Sequence, residues 1–308
     1  MDDNIFEADE YTPEYSSETD RYREVFSKYN LNVDEESVKK AVSAIRRKSA
    51  AYGNEQIMKL IECLDYTSLK TTDSEETVMA MTETVNDFFN KNPEIPSFAA
   101  ICTYPCYAET VSSTLEIDGI SIACVSGGFP SSQTSTEIKI AETAMAVHDG
   151  AEEIDIVLPV GRFLSGEYEY IADEIQELKS VCGDKILKVI LETGSLGNMA
   201  NVRKASVMAV YSGADFIKTS TGKEAVGATP EAFYVMCQFV KEYAETTGTK
   251  IGVKAAGGIS TIEDAFLYYA IVENVLGKEW ICKTLFRIGA SKLAGNLISQ
   301  LTGEKSPF

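Results

Sequence analysis

The segment IECLDYTSLKTTDSEE (61–76) separates the two folds that the rest of the chain allows. Its first part, IECLD (61–65), is a short apolar run typical of a β-strand. The residues that follow, DYTSLKTTDSEE (65–76), contain no glycine. A doubly wound α/β sheet usually has a glycine-rich phosphate loop after its first strand. The segment therefore favours a (β/α)8 barrel, provided that enough further strands follow.

Seven more apolar runs follow this segment, separated by helical patterns. Most of the runs are almost continuously apolar, as expected of parallel strands covered on both faces. Eight such units in about 250 residues fit one (β/α)8 TIM barrel, an α/β fold. The further strands are predicted at 97–102, 120–125, 153–158, 187–192, 214–219, 251–255 and 284–289, and the helices at 74–90, 134–149, 167–181, 199–212, 230–246 and 261–275.

The first 58 residues lie outside this repeating pattern. Residues 1–20 contain eight acidic residues and neither lysine nor arginine, which predicts an acidic disordered tail. Residues 21–58 are predicted to form a helical extension, packed on its own barrel or on a neighbouring subunit. Asp34 is a candidate N-cap for the amphipathic run that follows it. The barrel domain is expected to occupy residues 59–308.

The composition limits the partners of the protein. Its 308 residues include 28 basic and 47 acidic side chains, for a formal net charge of −19. Such a surface disfavours nucleic acid and anionic membranes. The sequence contains neither an apolar run of membrane-spanning length nor a signal-peptide pattern, so we expect a cytoplasmic protein. Its seven irregularly spaced cysteines are expected to be free thiols.

The single histidine, His148, restricts the possible chemistry. A histidine-rich zinc site is excluded, and the CxxxC spacing of Cys102 and Cys106 is weak evidence for a metal. Since His148 lies near the end of a predicted helix, we interpret it as an ordinary helix-end residue. Acid–base work would then fall to Lys, Asp, Glu, Tyr or Cys side chains. We predict neither a metal nor a cofactor.

Ionisable side chains lie within the predicted strands or at their carboxyl ends, where TIM barrels place their active sites. Lys218 and Lys254 would lie on neighbouring strands, and two ammonium groups about 5 Å apart repel by roughly 3 kcal/mol at an effective dielectric of 20. This repulsion would lower one pKa by about two units, giving an amine that can attack a carbonyl to form a Schiff base. Buried ion pairs that only close the barrel are the structural alternative. The residues concerned are Asp65, Cys102, Asp155, Lys188, Glu192, Lys218 and Lys254.

Three successive loops have the composition of an anion site. They are TSTGK (219–223), AAGGIS (255–260) and RIGASK (287–292), and they follow the last three predicted strands. Glycines let backbone N–H groups approach an anion, and phosphate sites in this fold favour the last loops. Lys223 and Lys292 could add charge. A Schiff-base lysine beside a phosphate site indicates a metal-independent aldolase for a phosphorylated aldehyde or ketone.

The chain resembles the deoxyribose-phosphate aldolases over about residues 60–300. The resemblance implies a class I enzyme that reversibly cleaves 2-deoxy-D-ribose 5-phosphate to D-glyceraldehyde 3-phosphate and acetaldehyde. GADFIKTSTGK is its most specific motif. The matching segments are LDYTSL (64–69), AAICTYP (99–105), VSGGFP (125–130), GAEEIDIVLP (150–159), LKVILETG (187–194), GADFIKTSTGK (213–223) and GVKAAGG (252–258).

The same resemblance implies the site residues. Lys218 would form the Schiff base, Lys254 would lower its pKa, and Asp155 would move protons through a water. Asp65 and Cys102 would line the sugar end of the pocket, and Lys188 would hold Asp155 in a charge network. The remaining substrate-binding residues, most of them for the phosphate, would be Thr221, Gly222, Lys223, Gly257, Gly258, Gly289 and Ser291.

Three positions depart from the family pattern. Ala255 replaces a proline that is more frequent in the motif, Lys292 stands where a serine or glycine is common, and Phe308 ends the chain where some members have a tyrosine. A Schiff-base aldolase for another phosphosugar and a non-catalytic phosphosugar-binding barrel are the alternatives. A homodimer is expected, because C2 dimers are the commonest closed assembly.

Overall fold

The computed structural model describes residues 21–308. The predicted acidic tail, residues 1–20, lies outside the described residues. Three helices come before the first strand: α1 (Arg21–Ser27), α2 (Glu35–Ser49) and α3 (Asn54–Glu62). Asp34 is the N-cap of α2, as predicted, and its side chain accepts hydrogen bonds from the backbone N–H groups of Glu36 and Ser37.

Eight parallel strands form a closed barrel in chain order, which confirms the predicted (β/α)8 fold. The first strand pairs with the last, so that the described barrel has no sheet edge. The strands are β1 (Leu64–Thr67), β2 (Ala100–Thr103), β3 (Ser121–Ser126), β4 (Glu153–Val157), β5 (Ile186–Ile190), β6 (Phe216–Lys218), β7 (Gly252–Ala256) and β8 (Phe286–Ala290).

Helices alternate with the strands and cover the outside of the barrel. Within residues 21–308, none of them is long and apolar enough to cross a membrane. They are α4 (Glu75–Lys91), α5 (Ala108–Thr114), α6 (Thr136–His148), α7 (Val160–Ser165), α8 (Tyr168–Cys182), α9 (Met199–Tyr211), α10 (Pro230–Thr247), α11 (Ile262–Val275) and α12 (Lys292–Thr302), with short 3-10 helices at Pro105–Tyr107, Thr193–Ser195 and Lys278–Trp280.

The first predicted strand was wrong in its position. Ile61 and Glu62 belong to helix α3, and β1 begins only at Leu64. The buried residues of α3, which include Leu60 and Ile61, follow a helical spacing that a short apolar run does not reveal. The predicted end of the helical extension, residue 58, consequently falls inside α3.

The N-terminal helices pack on the outside of their own barrel, which is one of the two arrangements that the sequence left open. Helix α1 contacts α8 and α9, α2 contacts α10 and α11, and α3 contacts α11 and α12. The Tyr22 hydroxyl lies 2.6 Å from Oγ of Ser212. The Tyr29 hydroxyl lies 2.8 Å from that of Tyr211. These contacts attach the extension to the outer helices of the barrel.

His148 and Phe308 both lie outside the barrel interior. His148 is the last residue of α6 and is exposed, in agreement with the interpretation of a helix-end residue. Phe308 packs in an aromatic cluster, where its ring centroid is 5.4 Å from that of Tyr66, 5.1 Å from Phe88 and 5.2 Å from Phe98. The terminal aromatic ring therefore stabilises the contact between α4 and the barrel wall.

Candidate active site

Seven charged side chains meet inside the barrel, in strands that are otherwise apolar. Because side chains alternate across a strand, residues at even spacing from each inward-facing position also face the interior. The strand register places Asp155 beside Lys188, Lys218 beside Lys254, and Lys254 beside Arg287. Every member of this set, which we call the charge network, is buried. The charge network consists of Asp65, Glu153, Asp155, Lys188, Lys218, Lys254 and Arg287.

Asp155 is the centre of the upper part of the charge network. Its Oδ2 accepts hydrogen bonds from Nζ of Lys218 at 2.7 Å and from Nζ of Lys254 at 2.8 Å. Its Oδ1 accepts one from Nζ of Lys188 at 2.7 Å. The two amines that the sequence predicted to be neighbours thus share one carboxylate oxygen. Lys254 also donates to Asp65.

Glu153 and Arg287 form the lower part of the charge network. The Arg287 guanidinium holds Glu153 with two bonds, of 3.0 Å from Nη1 and 2.7 Å from Nη2. Its Nη1 also donates to Oδ1 of Asp65 at 2.6 Å. Lys188 joins the two parts, because its Nζ lies 2.7 Å from Glu153 as well as from Asp155. Paired in this way, the buried charges avoid the large cost of isolated ones.

The charge network contains three carboxylates and four basic side chains, so its charges balance when one basic group is neutral. Lys218 is the basic group of the charge network whose pKa is lowered. Burial lowers its pKa, and the nearby Lys254 ammonium lowers it further against the opposing attraction of Asp155. Burial also disfavours the ammonium of Lys254, but Asp155 and Asp65 outweigh this effect and raise its pKa. The same reasoning holds for Lys188, whose pKa is raised by Asp155 and Glu153.

The main cause of the lowered Lys218 pKa differs from the one that the sequence predicted. Repulsion between the two ammonium groups was expected to depress the pKa of one lysine. Loss of hydration by burial makes the larger contribution at Lys218, and the repulsion from Lys254 is smaller than the attraction to Asp155. The direction agrees with the prediction, while the main cause is burial in the barrel interior.

The buried carboxyl groups fall into two kinds. Burial alone would favour their neutral forms, but Lys188, Lys218 and Lys254 hold the pKa of Asp155 well below its usual range. The pKa values of Asp65 and Glu153 are likewise lowered by their basic partners. Glu192, near the end of β5, differs because burial raises its pKa. It bonds to Thr221 rather than to a basic side chain.

A cavity of about 440 Å³ opens above Lys218 at the carboxyl ends of β1 and β6–β8. Eight residues predicted for the site line it, and Lys292 does so as well. Helix α12 begins beside the cavity, so its first backbone N–H groups, which have no partner within the helix, lie at the wall. The predicted lining residues are Lys218, Thr221, Gly222, Lys223, Gly257, Gly258, Gly289 and Ser291.

The other predicted site residues lie beneath or beside this cavity. Asp65, Asp155, Lys188 and Lys254 belong to the charge network under its floor. Cys102 is fully buried on the β2 side of the barrel, and burial raises the pKa of its thiol. It belongs to a small apolar cluster formed by Ala100, Cys102, Ala123 and Val125, with Leu69, Tyr104 and Phe129 packed against it.

Some site residues were missed in the sequence. Glu153 and Arg287 complete the charge network, and each had a readable signal. Glu153 lies two positions before Asp155 and so shares its face of the strand, and Arg287 is a charge inside an apolar run. The cavity wall formed by Thr67–Lys70 was missed too, although it follows β1 directly. Nζ of Lys223 donates to the Leu69 carbonyl and ties this segment to the loop after β6.

A closed (β/α)8 barrel with buried amines below a cavity at the strand ends has the architecture of an enzyme. Residues 57–277 match the model of the DeoC/LacD family aldolases. The deoxyribose-phosphate aldolases of Homo sapiens and Bos taurus are 37% and 36% identical to the chain over 255 residues, 80% of this chain and 80% of each relative. The chain belongs to the DeoC/LacD aldolase family, and the protein is an aldolase, a lyase.

A solved structure agrees with this assignment. The tetrameric deoxyribose phosphate aldolase of Aeropyrum pernix superimposes with a TM-score of 0.64 at 25% identity. The match covers 84% of this chain and 98% of that one.

Within residues 21–308, no group of three or more His, Cys, Asp or Glu side chains is arranged to hold a metal ion.

Proposed function

We propose that this aldolase reversibly cleaves 2-deoxy-D-ribose 5-phosphate to D-glyceraldehyde 3-phosphate and acetaldehyde through a Schiff base on Lys218. The observation that carries the proposal is that Lys218 and Lys254 bind one oxygen of Asp155 beneath a cavity with glycine-containing walls. The names of the human and bovine relatives support the choice of substrate.

The first step uses the neutral amine of Lys218. Its nitrogen attacks the C1 aldehyde of the open-chain sugar, and the resulting carbinolamine loses water to give an iminium ion. The lowered pKa of Lys218 supports this role, because an amine must lose its proton before it can attack. Lys254 stays charged and favours the neutral form of its neighbour.

The second step breaks the bond between C2 and C3. The C3 hydroxyl loses its proton, the C2–C3 electron pair moves to the iminium nitrogen, and D-glyceraldehyde 3-phosphate leaves. The Asp155 carboxylate would accept that proton through a water and later return one to C2 of the enamine, while the charged Lys254, bonded to Asp155, stabilises the carboxylate. Hydrolysis of the new iminium then releases acetaldehyde and restores the amine of Lys218.

The substrate phosphate is assigned to the three loops after β6, β7 and β8. Gly222, Gly257 and Gly258 have positive φ angles of 76°, 94° and 84°, a region that favours glycine, and they turn the chain at the cavity wall. Lys223 and the first turn of α12 supply positive charge and free N–H groups. Lys292 lies on the same wall and would add charge.

Borohydride trapping with 2-deoxyribose 5-phosphate, followed by peptide mass spectrometry, tests the proposal. We expect a reduced adduct on Lys218 that is lost in Lys218→Met. The matched variant Lys223→Met should keep the adduct and raise KM. An adduct on Lys254 would overturn the assignment of the nucleophile. Absence of any adduct from folded protein at millimolar substrate would contradict the proposed reaction.

We also propose that the protein is a homodimer. The tetramer of the Aeropyrum pernix enzyme is a property of that protein and does not fix the state of this chain. Light scattering coupled to size-exclusion chromatography measures the mass of the particle directly. A mass of one chain or of four chains would contradict the prediction.

A further inference from the structure

We propose that Glu192 is a positioning residue that fixes the phosphate-binding turn Thr221–Lys223, so that it controls affinity for the phosphate group and not the chemistry at Lys218. The proposal deepens the function given above and rests on it for the identity of the substrate. It concerns a buried carboxylate that has no part in the proposed reaction steps.

The backbone holds Glu192 in an unusual conformation. Its φ of 52° and ψ of 58° lie in the left-handed region, which residues other than glycine seldom adopt. The N–H groups of the flanking Leu191 and Thr193 donate to the carbonyls of Lys218 and Thr219 at 2.8 and 2.9 Å. The end of β5 is thus attached to the end of β6 on both sides of Glu192. Such a conformation persists where the surrounding structure enforces it, often at functional sites.

The Glu192 side chain is buried and points to the loop after β6. Its Oε2 accepts a hydrogen bond of 2.5 Å from the Thr221 hydroxyl. The Thr221 backbone N–H lies 3.3 Å from each carboxylate oxygen. Oγ1 of Thr221 in turn accepts from the backbone N–H of Lys223 at 3.1 Å. The carboxylate therefore orients the hydroxyl that closes the turn around Gly222.

This turn is part of the cavity wall. Thr221, Gly222 and Lys223 all line the cavity, and an added Cβ on Gly222 would lie 3.5 Å from Cα of Gly257 in the next loop. The turn therefore lies against the loop after β7, a second of the three proposed phosphate loops. Lys218 precedes the turn and is held separately by β-sheet bonds and by Asp155.

A carboxylate suits this position better than an amide of the same shape. Thr221 offers two donors, its hydroxyl and its N–H, and the two oxygens of Glu192 accept both. A glutamine would keep one acceptor and turn an NH2 group toward a donor. Glu192→Gln should therefore disturb the turn while changing side-chain volume very little.

The test measures binding of inorganic phosphate by calorimetry together with steady-state kinetics. We expect Glu192→Gln to weaken phosphate binding about tenfold, the effect of one lost hydrogen bond to a charged group, and to raise KM for 2-deoxyribose 5-phosphate by a similar factor. The value of kcat should stay within twofold. For unphosphorylated 2-deoxyribose, kcat/KM should also stay within twofold.

Three variants serve as controls. Glu174→Gln removes another buried carboxylate, which lies in α8 and bonds to Thr136 and Lys139 of α6, and should leave phosphate affinity unchanged. Thr221→Val should match Glu192→Gln, with no further loss in the double variant, because both remove the same bond. Thr221→Ser keeps the hydroxyl and should retain most of the wild-type affinity for phosphate.

Two results would overturn the inference. One is equal loss of activity of Glu192→Gln on the phosphorylated and unphosphorylated sugars, which would indicate a general structural role. The other is unchanged phosphate affinity in that variant. Failure of the wild-type protein to cleave 2-deoxyribose 5-phosphate would refute the proposed function instead, while the phosphate titrations would still decide the role of Glu192.

Discussion

Gly289 of β8 is the position where one added methyl group should test the geometry of the charge network most directly. A Cβ built on Gly289 would lie 2.9 Å from Cε of Lys254 and 3.1 Å from Cβ of Ala256. Ordinary carbon–carbon contacts lie at about 3.5–4.0 Å, so Lys254 must move by roughly 0.6 Å or more in Gly289→Ala. Free lysine side chains move easily, but this one is bound on both sides, by Asp65 and by Asp155.

The expected cost follows from these contacts. Overpacking of a buried site typically destabilises by about 1–3 kcal/mol. Displacement of a catalytic group by 1 Å can cost about a hundredfold in rate, so we expect kcat to fall about tenfold in Gly289→Ala. Urea unfolding followed by the fluorescence of Trp280, the single and buried tryptophan, measures the first effect. A coupled assay of deoxyribose phosphate cleavage measures the second.

Gly161→Ala is the matched control. Gly161 lies in helix α7 and has no atom within 4 Å of an added Cβ, so this variant should be as stable as the wild type or slightly more stable. If Gly289→Ala stayed within 0.5 kcal/mol and twofold in kcat, limits of about the usual scatter for neutral substitutions, Lys254 would be more mobile than its contacts indicate and the reasoning would be refuted.

Three further predictions concern the same interior and its surroundings. Glu153→Gln removes one of the two carboxylates paired with Arg287 and leaves the charge network with one more uncompensated positive charge, so it should lower the free energy of unfolding by about 3–5 kcal/mol in urea titrations, and a loss below 1 kcal/mol would contradict the pairing. Because the pKa of Lys218 is lowered, the rate of borohydride-trapped adduct formation should rise with pH and level off below the ordinary lysine pKa of about 10.4, whereas a rise that continues through that value would argue against a perturbed amine. Phe308→Ala removes a partly buried ring, which should cost about 1–3 kcal/mol of stability but less than twofold in kcat, as its contacts lie outside the barrel. A large loss of kcat at unchanged stability would instead connect the terminal ring to catalysis.

The charge network distinguishes Lys218, the proposed nucleophile, from its other two lysines. Lys188 and Lys254 each contact two carboxylates at hydrogen-bonding distance, whereas Lys218, within residues 21–308, pairs with the carboxylate of Asp155 alone. Lys218 also lies at the carboxyl end of its strand and reaches the cavity. Of the three lysines in the charge network, the one with the fewest carboxylate partners among the described residues is thus the one that lines the cavity.

The carboxylates of the charge network also give the protein a defined response to acid. Asp65, Glu153 and Asp155 have lowered pKa values in the folded state. They contribute stability above their ordinary values of about 4, and this stability is lost as the pH falls through the folded values. Glu192 contributes to stability with the opposite pH dependence, because its pKa is raised in the folded state. Its contribution is present below its ordinary pKa and is lost as the pH rises through the folded value.

Much of the fold was predictable because its signals are local. The near-continuous apolar runs predicted eight buried parallel strands, and the composition of TSTGK and AAGGIS predicted that these loops share one site, where both line the cavity. The error at IECLD arose where a buried helix, α3, leads directly into a strand. Over five residues the two have the same apolar composition, and only their packing distinguishes them.

By itself, the sequence determined the periodicity of the barrel, the charged residues inside its strands and the family motifs around them, because each of these depends on residues close together in the chain. Only the tertiary structure decided which charges share a partner. Lys218 and Lys254 meet on one oxygen of Asp155, 63 and 99 positions away, and Arg287 bonds to Glu153, 134 positions away. The lowered pKa of Lys218 follows from that arrangement, since burial and the sum of nearby charges exist only when all eight strands have closed.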